Sequence, residues 1–154
     1  MGDKQIFLSG AMTGLQPDEY YGWRDYIKES LKYDCDIVFS PPDKYNFENP
    51  EDYDSEREVM DYDLYQVEKS ELMMVNFDSN PASIGTAAEV IKAHVIGVPV
   101  VGYVSEKKRG LVHPWLIECC NKLFVNNIED MSKFDDMLYY VKAYYLDVGN
   151  RWIK

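Results

Sequence analysis

Leu72-Met73-Met74-Val75-Asn76-Phe77, then Ser83-Ile84-Gly85-Thr86-Ala87-Ala88-Glu89, then Val90 to Ile96 and Gly97: this stretch decides the fold. Its first part is a short apolar run of buried-strand type. Its middle is a turn of small residues, and its end is an apolar-periodic helix, expected over Thr86 to Ile96 and closed by a glycine. Strand, small-residue turn and helix in that order are how an α/β protein builds a site beyond the carboxyl end of a strand. The turn is expected to bring one carboxylate, Glu89, into the first helical turn. Gly85, Ala87 and Ala88 leave room for a ligand to approach the backbone.

The same alternation continues in both directions. Upstream, Gln5-Ile6-Phe7-Leu8 reads as a buried strand ending at Ser9-Gly10. Residues 18–32 read as a helix with Trp23, Ile27 and Leu31 on one face. Asp36-Ile37-Val38-Phe39 is a second strand, stopped by Pro41-Pro42, and residues 41–53 form a polar loop in the position of a lid. Ser55 to Ser70 is a helix that carries Val59, Met60, Leu64 and Val67. Downstream, Val98 to Tyr103 is a strand, Ser105 to Gly110 a loop, Pro114 to Cys120 a short helix and Leu123 to Val125 a last strand. Met131 to Leu146 closes the domain as a helix before a polar-aromatic tail.

Five short apolar strands separated by helices, without repeats, predict a single α/β domain over residues 1–154. The expected fold is a doubly wound, flavodoxin-like, five-stranded parallel sheet in the order 2-1-3-4-5, with helices on both faces. Ligands then bind beyond strands one and three, where Ser9-Gly10-Ala11-Met12-Thr13-Gly14 meets the turn from Asp78 to Ser83.

Composition narrows the function. A net charge of −11 argues against polymeric nucleic acid and against a membrane surface as partner, because both need a cationic footprint. No apolar run reaches the ~18 residues of a membrane span, and the N-terminus lacks a signal-peptide pattern, so a cytoplasmic protein is expected. Three cysteines without metal spacing read as thiols buried in a reducing compartment, and two histidines argue against a histidine-rich metal site. The first loop lacks both the dinucleotide fingerprint and the phosphate-loop lysine, so no cofactor is expected. Its glycines instead offer backbone N–H groups and a close-fitting floor for a ligand.

Each candidate residue has a plain structural reading beside the chemical one. Thr86-x-x-Glu89 matches a capping box, in which the glutamate bonds back to the cap. The alternative is a carboxylate kept charged by a helix N-terminus, suited to attack a sugar's anomeric carbon. Asp63 is either a solvated helical acid or the proton donor to a leaving group. Asp61 and Asp63 lie on different helix faces, so only one points inward. Ser83 is either an N-cap or an anchor for a ligand hydroxyl or phosphate, helped by the free N–H groups of Gly85 and Thr86. His113 is either a surface group or a donor that reaches across a subunit contact.

These pieces together resemble the nucleoside 2-deoxyribosyltransferase superfamily, which includes related deoxynucleoside 5′-monophosphate N-glycoside hydrolases. The resemblance is carried by Ile6 to Met12, by Asp63-Leu64 followed by Lys69 to Leu72, and by Asp78 through Ser83 to Glu89. The Gly97-Val98-Pro99-Val100 ending completes it. The resemblance implies that Glu89 is the nucleophile that attacks C1′ and that Asp63 contacts and protonates the base. The separation of these two acids is about what the family shows.

It further implies that Phe7, Ser9, Gly10, Met12, Ser83 and Gly85 line the sugar and base pocket. Phe7 stands where many transferases have a tyrosine that orients the nucleophile. Ser83 stands where transferases often carry an acid for the 5′-hydroxyl and the hydrolases a serine for the phosphate. The hydrolases' arginine-bearing first loop is absent. The family completes each site with a residue from a neighbouring subunit, and His113 is the candidate for that role here.

The resemblance thus implies deoxyribosyl transfer from a nucleoside to another free base, within a homo-oligomer with shared sites. Hydrolysis of a 5′-monophosphate is the alternative activity. A non-catalytic nucleotide-binding module, with Glu89 as a mere cap, is the alternative without chemistry.

Overall fold

In the computed structural model, which describes residues 4–45 and 54–146, strands and helices alternate along the chain. β1 (Gln5–Gly10), β2 (Ile37–Phe39), β3 (Leu72–Asn76), β4 (Val100–Ser105) and β5 (Lys122–Asn126) pair in parallel in the order β2-β1-β3-β4-β5. This is the flavodoxin-like order expected from the alternation of patterns. The helices are α1 (Pro17–Leu31), α2 (Pro41–Lys44), α3 (Glu56–Lys69), α4 (Ile84–Ile96), α5 (Pro114–Cys119) and α6 (Asp135–Tyr144).

The two-residue period of a strand sorts β1 onto two cores. Ile6 and Leu8 pack with Trp23, Ile27 and Leu31 of α1 and with Met137, Leu138 and Val141 of α6. Phe7 faces the other way, into a cluster with Val67 of α3, Val90 and Ala93 of α4 and Leu116 of α5. Phe7, Leu8, Met73 and Met74 are fully buried, each worth about 1.5–3 kcal/mol of transfer free energy. Ser9 lies one step beyond Phe7 on the same face, so the polar end of β1 is aimed at α4.

Local chemistry sets the helix ends. Pro17 opens α1, and the Glu19 carboxylate accepts from the Gln16 N–H at 2.8 Å. The Ser55 hydroxyl caps α3 by accepting from the Glu58 N–H at 3.1 Å. The Ser83 hydroxyl caps α4 by accepting from the Thr86 N–H at 3.3 Å. α4 stops at Gly97, whose φ of +85° is left-handed and suits glycine.

Several boundaries differ from the sequence pattern. Pro41-Pro42 begins α2 instead of only ending a strand, because proline suits a first helical turn. The Lys-rich stretch expected as a loop is a 3-10 helix, Glu106–Leu111. β4 starts after Pro99 and runs to Ser105; Pro99, with no N–H to give, contributes its carbonyl to the Met73 N–H at 2.9 Å. The closing helix begins as a 3-10 turn, Met131–Phe134. Cys119 is buried, but Cys35 and Cys120 are half-buried; all three thiols are free. Residues 46–53 of the expected lid, the first three residues and the tail from 147 lie outside the described residues. No helix among the described residues is long and apolar enough to cross a membrane.

Candidate active site

The strand order reverses between β1 and β3, which opens a crevice at their carboxyl ends. A cavity of about 640 Å³ lies there. Its walls are the β1–α1 turn from Gly10 to Pro17, one face of α3 through Glu56, Val59, Met60, Asp63 and Leu64, and the start of α4 through Ser83, Gly85, Thr86, Ala88 and Glu89. The crevice therefore brings together Glu89, Asp63, Gly10, Met12, Ser83 and Gly85 of the residues singled out in the sequence. Asp63 and Glu89, far apart in the chain, open onto the same space.

Glu89 is not where its local pattern put it. Because Ser83 is the N-cap, Thr86 already lies inside the first turn and Glu89 falls in the second. The capping box is thereby excluded, and the helix N-terminus does not hold the carboxylate charged. Burial dominates instead and pushes the Glu89 pKa up to about 8. The Ser9 hydroxyl opposes this by donating to Glu89 Oε1 at 2.6 Å. That distance is typical of a strong bond to a carboxylate. Oε2 has no hydrogen bond among the described residues.

Asp63 is likewise buried, and desolvation pushes its pKa up to about 7, with Arg24 pulling it back. Its Oδ1 has no hydrogen-bond partner among the described residues. Asp61 points away and pairs with Arg57 at 2.9 Å on the exposed side of α3. Two carboxyl groups thus share one crevice, and burial raises both above the ordinary carboxylate range.

Three residues fall elsewhere. Phe7 does not line the cavity; its ring lies in the core against Phe39, 5.2 Å between centroids. The hydroxyl that reaches Glu89 comes from Ser9, the next residue on that face of β1, and Ser9 lies under the cavity wall instead of lining it. His113 is the N-cap of α5, where its Nδ1 accepts from the Trp115 N–H at 3.1 Å. It lines a second, more apolar groove with Ile84, Leu111 and Trp115, and only Ser83 is common to both spaces.

Thr86, expected to offer its backbone N–H to a ligand, donates that N–H to the Ser83 cap and instead lines the cavity with a buried hydroxyl that lacks a partner among the described residues. One contributor was not among the expected residues. Arg24 is sealed beneath the floor, where its Nη2 donates to the Gly10 carbonyl at 2.9 Å. A signal for it exists: Tyr20, Arg24, Ile27 and Leu31 recur at helical spacing, which puts an arginine on the buried stripe of α1. Among the described residues no three His, Cys, Asp or Glu side chains are grouped as a metal ion would require.

No family model matches the sequence, and no curated protein matches it. Solved structures do match the fold. A 2-deoxyribosyltransferase from Bacillus psychrosaccharolyticus aligns with a TM-score of 0.62 at 18% identity, covering 88% of this chain and 91% of that one. A conserved protein from Enterococcus faecalis V583 aligns at 0.68 and 15% identity, over 92% of this chain and 99% of that one. A CMP N-glycosidase from Clostridium botulinum aligns at 0.61 and 16% identity, over 88% and 99%. The chain has the α/β fold of these deoxyribosyltransferase and N-glycosidase structures.

Proposed function

We propose that the chain is an N-glycosidic-bond enzyme that transfers deoxyribose from a nucleoside to another free base, with Glu89 as nucleophile and Asp63 as proton donor. The observation that supports this above others is the convergence of Glu89 and Asp63 on one cavity, with Ser9 holding one oxygen of Glu89. In the first half-reaction Oε2 of Glu89 attacks C1′. The N-glycosidic bond breaks, its electron pair stays with the base nitrogen, and Asp63 supplies the proton that neutralises the base. In the second, a nitrogen of the incoming base attacks C1′, the ester bond returns its electrons to Glu89, and the base gives its proton to Asp63.

The reactive state carries a single proton on the pair. It must sit on Asp63 while Glu89 is charged. Burial raises Glu89 to about 8 and Asp63 to about 7, which favours the opposite placement before substrate binds, so bound substrate must move the proton to Asp63. Transfer further requires that water be kept from the glycosyl ester until a second base arrives.

Charge supports an uncharged sugar end. Glu56, Asp63 and Glu89 line the cavity and, among the described residues, no Lys, Arg or His does. The Ser83 hydroxyl is already engaged as the α4 cap. A 5′-phosphate would meet carboxylates with no cation among the described residues of the cavity lining to pair with it. Hydrolysis of a 5′-monophosphate stays as the second reading, because Ser83 and Gly85 open the α4 N-terminus to the cavity and the fold is shared with a CMP N-glycosidase.

The same reading includes a homo-oligomer. The groove beside Ser83 exposes Ile84 (84%), Leu111 (66%) and Trp115 (71%), an apolar face suited to a second copy whose residues would complete the cavity.

Incubation with a deoxynucleoside, with and without a second free base, tests the activity by chromatography. New nucleoside that depends on the acceptor base is the expected result. Free base and deoxyribose 5-phosphate from a 5′-monophosphate without any acceptor would favour hydrolysis. Folded protein that cleaves neither nucleosides nor nucleotides would refute the reading.

A further inference from the structure

Among the described residues, Arg24 is the only lysine or arginine that is buried, at 1% exposure. A lone guanidinium inside a protein is costly unless its donors and its charge are both answered. Its donors are answered in part. Nη1 donates to the Tyr20 carbonyl at 2.8 Å and Nη2 to the Gly10 carbonyl at 2.9 Å, while Nε has no partner among the described residues. Its carbon sits 4.6 Å from the centroid of the Trp23 ring.

The carbonyls it holds belong to two residues that line the cavity, although Arg24 itself does not line it. No carboxylate lies within ion-pair distance of Arg24 among the described residues, so its charge is answered by the field of groups farther off. Those are Glu89 on α4, Asp63 on α3, Asp43 on α2 and Tyr21 on α1, all of which raise its pKa against the lowering by burial, to about 10. Arg24 therefore stays charged. Asp43 has a nearer partner in Lys28 at 2.7 Å. For Glu89 and Asp63, Arg24 is the cation that pulls their pKa values down.

We propose that Arg24 is a positioning residue for this site: it ties the β1–α1 turn into the cavity floor and is the fixed cation facing both Glu89 and Asp63. The proposal rests on the function above and explains a feature of it. The pair carries one negative charge before and after the sugar moves. That charge starts on Glu89 and ends on Asp63, as Glu89 becomes an ester and Asp63 gives up its proton. A buried cation tied to two carbonyls of the cavity lining serves either state without moving.

The test compares Arg24→Gln and Arg24→Lys with the unmutated protein by carboxyl-carbon NMR titration, with folding checked by circular dichroism. Removal of the charge in Arg24→Gln should raise both carboxyl midpoints by about one pH unit and lower kcat/KM about tenfold on the acid side of the optimum. Arg24→Lys keeps the charge and should keep the midpoints, but it loses the guanidinium's paired hold on the Tyr20 and Gly10 carbonyls and should raise KM. A folded Arg24→Gln protein with unchanged midpoints overturns the proposal. The titration needs no turnover, so an inactive wild type would speak against the proposed function alone. If Arg24→Gln does not fold, the unmutated protein still decides. The Arg24 guanidinium nitrogens should shift with the midpoints of the two carboxyls, and their silence across that range overturns the assignment.

Discussion

Replacing Glu89 by Gln should make the protein more stable at neutral pH while abolishing any glycosyl ester. The Glu89 pKa is raised from 4.5 to about 8 in the folded protein, chiefly by burial. A carboxyl whose folded pKa lies above its unfolded one contributes stability that is complete below the unfolded value. That contribution is lost as pH rises through the folded value. The window is therefore about pH 4.5 to 8, and within it each unit costs about 1.4 kcal/mol.

At about pH 7 the free energy at stake is about 3 kcal/mol, and part of the rise comes from the neighbouring Asp63 charge. A net gain of about 2–3 kcal/mol is expected for the uncharged, nearly isosteric Gln, whose amide oxygen can still accept from Ser9. For a chain of this length that corresponds to about 5–10 °C in Tm. Thermal melts of both proteins near pH 4.5 and near pH 7 check it, with a small difference expected at the acid end. A Gln variant that melts at or below the wild type near pH 7, or a gain that does not change with pH, would refute the burial argument.

The pH profile of kcat/KM should be bell-shaped, rising through about 7 and falling above about 8, because the working form holds one proton on the Asp63–Glu89 pair. A flat profile over that range would show that these acids do not govern turnover. Ser9→Ala removes the 2.6 Å donor to Glu89. It should raise the Glu89 midpoint and lower kcat about 10- to 100-fold at fixed pH, the worth of a hydrogen bond to a charged group. Gly10→Ala would put a Cβ 2.6 Å from Trp23 Cζ2; denaturant melts should show a loss of about 1–3 kcal/mol from overpacking. Trp115→Ala, at an exposed position in the apolar groove, should shift sedimentation toward the monomer, and an unchanged sedimentation would refute the oligomer contact on this face.

The order of strands and helices was legible in the sequence because each element carries its own period, and the crevice follows from the strand order alone. Glu89 and Asp63 were legible as acids on the two helices that flank β3, and the fold brings both to one cavity. The capping reading of Glu89 failed for a local reason. Ser83 and Thr86 are both cap-type residues, and the chain enters the helix at the first of them, which carries Glu89 past the first turn. Phe7 was misplaced by one step of a strand: the hydroxyl facing Glu89 belongs to Ser9, the next residue on the same face.

The sequence by itself determined the parallel α/β architecture and the two candidate acids, since these depend on periodicity, turn chemistry and residue identity within short windows. Only the tertiary structure decided what the acids are. The bond from Ser9 to Glu89 joins residues 80 positions apart, and Arg24 is a buried countercharge only because α1 folds over the end of β1. The upward shifts of both carboxyls arise from burial against elements distant in the chain. Protonation at this site is thus a property of the packed crevice, where desolvation outweighs the helix terminus that the local pattern suggests.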